Sequence, residues 1–475
     1  MNPSIKFGTD GWRAVIAENF TFENVRIVSQ AFADFWKQSA IGNRQSAIVG
    51  YDRRFMSDTY ARLVAEVLAA NGIQAILTPA PTPTPAVSYA VKDRNLIGGV
   101  MITASHNPPE FNGVKIKAHY AGSADPNITK TVESNLGKTP VRSEKLDDAR
   151  KRGAIQVEDV TKRYIERVKS YANFKLIADS GLHVAADCMH GAAGTIFEEM
   201  LAGTRCRVRT LHAEHNPLFG GVNPEPMPQN LVETGRLLKA QPADICIVND
   251  GDADRLAAMD DRGGYINTHY VFALLLRHFV RNRKGKGIVV KALTTTSLLD
   301  KMCAKWGIEL KETPVGFKYI CDWMIKPGAN VLIGGEESGG VGFQGHIPER
   351  DGILAGMLLL ELLATEKKKP SEIIADINGE FGPHFYHRID PHFPLEKIPA
   401  LLKRVKTEPP KDLAGSPFER LTHYDGVKMY AKDGSWLMIR GSGTEPIIRI
   451  YAESNSPERV QKLIAQGQEI AAIVK

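Results

Sequence analysis

Residues 47–77, AIVGYDRRFMSDTYARLVAEVLAANGIQAIL, decide the fold class. Positions 47–50 form a short apolar run of the kind that makes a buried strand. Positions 60–70 carry apolar residues at helical spacing, and Asn71-Gly72 supplies the stop before a second apolar run at 73–77. Strand, helix and strand in succession are a βαβ unit, the building block of an α/β protein. The pattern returns twice. An apolar run at 183–186 leads into the small-residue turn His190-Gly191-Ala192-Ala193-Gly194 and a helix from about Thr195. Another at 287–290 leads into Thr294-Thr295-Thr296-Ser297 and a helix through Cys303.

Turn-rich or charged seams at 147–153, 260–264 and 379–394 divide the chain into four parts, 1–150, 151–260, 261–385 and 386–475. The first three read as related α/β domains. The last changes character, with a Lys-rich amphipathic helix near 396–406, a strand-like 436–439 and a helix over 457–473, and reads as a smaller α+β module. A length of 475 residues with 43% hydrophobic and 24% charged content suits several cores. Sixty Lys and Arg against 54 Asp and Glu leave a formal net charge of +6 without long runs of one sign, which argues against a nucleic-acid partner. Cys188, Cys206, Cys246, Cys303 and Cys321 are scattered singly, so a disulfide framework and a zinc site both recede and the thiols are expected in the core. The first residues do not read as a secretory signal. The most apolar stretch, 353–364, is interrupted by Glu361 and falls short of the roughly 18 residues of a membrane span. A cytoplasmic location without a membrane anchor is expected.

Four polar loops carry the chemistry. Thr103-Ala104-Ser105-His106-Asn107-Pro108-Pro109 follows an apolar strand and places a serine where α/β sheets expose functional groups, although a capped turn would use the same residues. Asn249-Asp250-Gly251-Asp252-Ala253-Asp254-Arg255 sets carboxylates at every second position, able to turn hard oxygen ligands onto one ion, with Mg²⁺ the best fit. A solvated acidic turn is the competing reading. Gly334-Gly335-Glu336-Glu337-Ser338-Gly339-Gly340 lets the backbone approach a ligand and offers acceptors and a donor for sugar hydroxyls, or is simply a Gly-rich turn. Arg440-Gly441-Ser442-Gly443-Thr444-Glu445-Pro446, with Arg449 beyond it, has the makings of a phosphate cradle without the ending of a Walker A loop. Together they describe a phosphosugar phosphotransferase.

These loops, in kind and in chain order, resemble the α-D-phosphohexomutase family of phosphoglucomutases and phosphomannomutases, from Phe7-Gly8-Thr9-Asp10-Gly11-Trp12-Arg13 to the loop at 440–446. The resemblance implies four domains around a central cleft, each donating one loop. It implies that Ser105 is a phosphoserine, that Asp250, Asp252 and Asp254 hold Mg²⁺ with an oxygen of the phosphorylated Ser105, and that Glu336 and Ser338 bind sugar hydroxyls. Arg440, Ser442, Gly443 and Thr444 would bind the substrate phosphate. Arg13, His106 and Lys115 are further catalytic candidates, and Arg255, Lys291 and Lys318 further substrate-binding ones. Either Lys115 or His106 would take the proton from the attacking hydroxyl, provided its pKa is lowered. Glucose 1,6-bisphosphate would be the intermediate and activator, the partner a phosphorylated hexose, and the assembly a monomer or homodimer.

Members of dual specificity often have His where this chain has Gly340 and Phe317, and both differences resemble the glucose-type members. The expected activity is therefore interconversion of glucose 1-phosphate and glucose 6-phosphate. Dual phosphomannomutase/phosphoglucomutase activity, a glucosamine-phosphate mutase, a phosphoserine-dependent sugar phosphatase and a non-catalytic phosphosugar-binding protein are the alternatives.

Overall fold

The computed structural model describes residues 5–8, 10–39, 45–442 and 446–473. The chain divides into two compact units, Met1–Val290 with Gly316–Glu372, and Lys291–Val315 with Ile373–Lys475.

In the first unit, a six-stranded sheet runs in the order Trp12–Val15, Phe111–Lys117, Gly98–Ile102, Ser46–Tyr51, Gln74–Leu77, Ile155–Val157. Ser46–Tyr51 lies parallel to Gln74–Leu77 and to Gly98–Ile102, and helices Ser57–Ala70 and Thr84–Asp93 make the crossings. Alternation along the strands explains their unbroken apolar character. Ala47, Val49, Val100 and Ile102 share a core with Val25, Val28 and Phe32 of helix Phe22–Gln38 and with Val64 and Leu68. Ile48, Ile76 and Met101 point the other way, onto Val87 and Val91. Helix Ser57–Ala70 begins three residues before the apolar spacing suggests; there Ser57 Oγ donates to Asp52.

A second sheet in this unit has the order Tyr265–Ile266, Leu256–Met259, Ile245–Asn249, His183–Asp187, Arg207–Leu211, with His183–Asp187 parallel to both neighbours. One regularity positions the site. Each polar loop read from the sequence joins a buried strand to an antiparallel neighbour. Residues 103–110 join Gly98–Ile102 to Phe111–Lys117, residues 250–255 join Ile245–Asn249 to Leu256–Met259, and residues 336–340 join Val331–Gly335 to Val341–Phe343. Residues 442–447, part of which lies outside the described residues, join Trp436–Gly441 to Ile448–Ser454. Helix Gly352–Glu366 is apolar nearly all round because it is buried all round: every residue from 352 to 364 is buried. No helix among the described residues is long and apolar enough to cross a membrane.

The second unit is built on a wholly antiparallel six-stranded sheet, Phe385–Ile389, Ile448–Ser454, Trp436–Gly441, Val427–Ala431, Ser416–Thr422, Asp412–Leu413. Leu401 and Val405 of helix Ile398–Thr407 and Leu463 and Ile464 of helix Pro457–Ala472 pack with Met429, Leu437 and Ile450 in one core. The five cysteines are all free and buried, as their scattered placement suggests.

Candidate active site

Ser105 is 1% exposed and takes a left-handed backbone conformation, φ +55°, that is uncommon for a non-glycine residue. Arg54 braces this loop. Its guanidinium donates to four backbone carbonyls of the loop, those of Ser105 (2.7 Å), Asn107 (2.6 Å), Pro108 (2.7 Å) and Phe111 (2.9 Å). Its Nε lies 3.2 Å from Asp52, which also accepts from Thr103 Oγ1, and the Phe219 ring stacks 5.0 Å beneath. Arg13 reaches the same loop, donating to Asn107 Oδ1 at 2.6 Å, and His106 is half-buried beside the serine. Arg54→Met would leave Asp52 buried without its cation. It is expected to cost about 3–5 kcal/mol of folding stability, read by urea denaturation; an unchanged midpoint would contradict the clamp.

Ser105 Oγ donates to Asp250 Oδ2 at 2.9 Å, which joins the first loop to the acidic one. Asp250, Asp252 and Asp254 are all fully buried and each brings a carboxylate oxygen within 4.8 Å of the others. Thr84 fixes Asp252 twice, through its Oγ1 to Oδ2 (2.5 Å) and through its backbone N–H to the Asp252 carbonyl (2.9 Å). Asp252 Oδ1 and Asp254 Oδ1 are buried and accept no hydrogen bond from the described residues. Three convergent carboxylates with lone pairs to spare fit a hard divalent cation such as Mg²⁺. Burial and the neighbouring Asp252 and Asp254 charges push the Asp250 carboxyl well above the usual range.

Lys115 sits among carboxylates. Its Nζ lies 2.8 Å from Asp252, 2.9 Å from Asp254 and 3.0 Å from Asp10, so all three of its donors are engaged. Burial, which would lower its pKa, is outweighed by these three charges, and the pKa is raised. The lowered pKa that a proton-accepting Lys115 requires is therefore not what its surroundings produce. Arg255 approaches Asp250 and Asp254 at 3.9 Å and Glu225 at 3.7 Å. Glu336 is 6% exposed; burial raises its carboxyl to about 7 against the opposing pull of Arg350. Ser338 is half-buried in the same turn, and Lys318, in helix Phe317–Ile325, lays its ammonium over Tyr319.

The remaining expected residues belong to the second unit. Lys291 is buried there, pairing with Asp300 and donating to the Thr296 carbonyl at 3.1 Å. Arg440 donates to Asp425 at 2.8 Å, and the Ser442 N–H donates to the Ile447 carbonyl at 3.1 Å. Gly443 and Thr444 lie outside the described residues.

The sequence reading overlooked several groups that complete the cluster in the first unit. Asp10 pairs with Lys115 and Arg350, and Lys117 pairs with Glu349 at 2.6 Å. Arg350 also reaches Asp254 at 2.8 Å and Glu336 at 3.4 Å. Lys117 had a signal: two residues past Lys115 in a strand, it shares that residue's face. Asp10 lies within the quoted stretch 7–13, and Arg350 has no local pattern around it.

Four family models cover most of the chain, described as the phosphoglucomutase/phosphomannomutase alpha/beta/alpha domains I (residues 4–141), II (162–264) and III (267–381) and the C-terminal domain (397–469). A phosphoglucomutase/phosphomannomutase of Thermococcus kodakarensis is 30% identical over 461 residues, covering 97% of each chain. A phosphoglucosamine/phosphogalactosamine mutase of Sulfurisphaera tokodaii is 29% identical over 98% of each. A protein of Thermus thermophilus, solved under the description "putative phosphomannomutase", superposes with a TM-score of 0.86 at 33% identity, over 99% of this chain and 100% of the other. Matched along most of its length by these four models and 30% identical to a relative over 97% of its residues, the chain belongs to the phosphoglucomutase/phosphomannomutase family and is a phosphohexomutase, an isomerase-type phosphotransferase.

Proposed function

We propose that the enzyme is a phosphoglucomutase, interconverting glucose 1-phosphate and glucose 6-phosphate through a phosphorylated Ser105 and glucose 1,6-bisphosphate. The observation that carries this reading is the 2.9 Å hydrogen bond from Ser105 Oγ to Asp250, which sets a buried hydroxyl against three carboxylates with Lys115 and Arg350 beside them. Moving a phosphoryl group between O1 and O6 of one hexose requires a carrier, because the two oxygens cannot both reach the same phosphorus in one step. Ser105 is that carrier. Its strained backbone and the Arg54 clamp hold the oxygen at a fixed place, which is where positioning lowers the barrier of phosphoryl transfer. Lys115, with its three donors engaged by carboxylates, acts as a cation near the transferring group. Mg²⁺ held by Asp250, Asp252 and Asp254 would neutralise charge on the phosphoryl group. Glu336 and Ser338 read the sugar hydroxyls, and the loop at 440–446 takes the phosphate that is not reacting. Gly340 and Phe317, where members of dual specificity often carry His, favour glucose over mannose. Five buried free thiols suit the reducing cytoplasm.

The test is phosphorus NMR of the enzyme with Mg²⁺, a trace of glucose 1,6-bisphosphate and the 1-phosphates of glucose and mannose. Glucose 6-phosphate as the main product is expected. Equal formation of both 6-phosphates would replace the glucose reading with dual specificity, and inorganic phosphate would replace the mutase with a phosphatase.

A further inference from the structure

Gly340 is a glycine for the sake of a neighbour rather than of its own backbone. Gly339 before it takes a left-handed φ of +90°, whereas Gly340 does not. A Cβ placed at Gly340 would instead fall well inside contact distance of Arg350 Cδ and 2.7 Å from its Cγ. Gly342 clears space in the same way, since its Cβ would lie 2.9 Å from Phe317 Cζ. Together the two glycines admit an arginine and an aromatic ring, with the guanidinium carbon 5.6 Å from the Phe317 centroid. The arginine cannot swing aside at little cost. Its far end meets carboxylates from four segments: Asp10, Asp254 at 2.8 Å, Glu336 at 3.4 Å and Glu349 at 3.6 Å.

We propose that Arg350 is a specificity-determining positioning residue: seated in the space that Gly340 leaves and paired with Glu336, it fixes the carboxylate that reads the sugar hydroxyls and so sets which hexose phosphate is preferred. The inference rests on Glu336 as that reading group, as in the proposed function. Hexose epimers differ in the direction of a single O–H, and a hydrogen bond weakens steeply as its angle departs from linear. A carboxylate held by a planar cation that is itself anchored at three other points therefore discriminates directions that a freely rotating one accepts. Burial drives the Glu336 carboxyl toward its protonated form and Arg350 opposes this, so loss of the arginine removes both the anchor and the charge.

The experiment measures kcat/KM for the 1-phosphates of glucose, mannose and glucosamine with the wild type, Arg350→Met and Gly340→Ala. Arg350→Met is expected to lower the value for the preferred sugar about 30-fold and to narrow its lead over the other two about tenfold. Gly340→Ala keeps every charge and displaces only the arginine stem, and it is expected to narrow the preference in the same direction by a smaller factor. Combining the two should narrow the preference no further than Arg350→Met does, because both act on it through the Arg350–Glu336 pair. A structural role alone would lower all three sugars by one common factor, and that result overturns the inference, as does a preference unmoved by Gly340→Ala. Should Arg350→Met fail to fold by circular dichroism, the Gly340→Ala ratio decides. A wild type inactive on all three sugars sinks the proposed function and the inference with it. A wild-type preference that survives both variants sinks the inference alone.

Discussion

Replacing Ser105 by Ala is expected to lower mutase turnover on the order of 10⁴-fold or more while the protein keeps its fold. The size follows from the proposed role: without the hydroxyl no phosphoenzyme forms, and the remaining charges have no oxygen to which a phosphoryl group can be passed. The modest structural cost follows from the contacts. Among the described residues Ser105 Oγ makes one hydrogen bond, to Asp250 Oδ2, and the other oxygen of that carboxylate keeps its bond from the Arg255 backbone N–H at 3.1 Å. The left-handed backbone is held through main-chain carbonyls by Arg54, a contact indifferent to the side chain. Phosphorus NMR should show no 6-phosphate formed, intact-mass measurement after incubation with glucose 1,6-bisphosphate should show no added phosphate, and the melting temperature should stay within a few degrees. Turnover near the wild-type value would remove Ser105 from the reaction. A variant that loses both turnover and its melting transition would place the serine in the scaffold instead.

The parts of this molecule that were legible in its sequence are those whose cause is local. The 47–77 stretch could be read because Ala47 and Val49 face one layer of helices and Ile48 the other, so burial on both sides left an unbroken apolar run. The acidic loop could be read because its three carboxylates stand on one turn, and the structure brings them together. What escaped depended on distance along the chain. Arg350 meets Asp10 across 340 positions, and Lys117 meets Glu349 across 232. No window of sequence contains either pair. The hairpin character of the loops escaped for a different reason. Strands such as Leu256–Met259 and Val341–Phe343 are only four and three residues long, too short to show a period, so the loops read as strand ends rather than as turns into antiparallel partners. The requirement for Gly340 was hidden in the same way, since its reason is a side chain ten residues on that folds back over it.

Asp252→Asn tests the acidic cluster where its contacts are densest, and it is expected to lower turnover by about 10²- to 10⁴-fold and to weaken Mg²⁺ affinity along with it. The substitution keeps the volume of the side chain and removes one charge. Asp252 Oδ2 accepts from both Thr84 Oγ1 and Lys115 Nζ. An amide can present its oxygen to these donors, so the loop keeps its place, yet the other side-chain atom then becomes an N–H₂ where Oδ1 stands buried without a hydrogen bond. That atom is a spare lone pair for a hard cation in the wild type and a donor turned toward it in the variant. Two observables separate this from general damage. Binding of Mn²⁺ followed by electron paramagnetic resonance, which needs no turnover, should weaken at least tenfold, and the Mg²⁺ concentration for half-maximal rate should rise. Asp261→Asn, at a carboxylate that accepts from the Ser371 backbone N–H and lies 3.6 Å from Lys369, provides the comparison, with neither quantity moved. Metal affinity unchanged in Asp252→Asn would take Asp252 out of the metal-binding group and leave it as the partner of Thr84 and Lys115 alone.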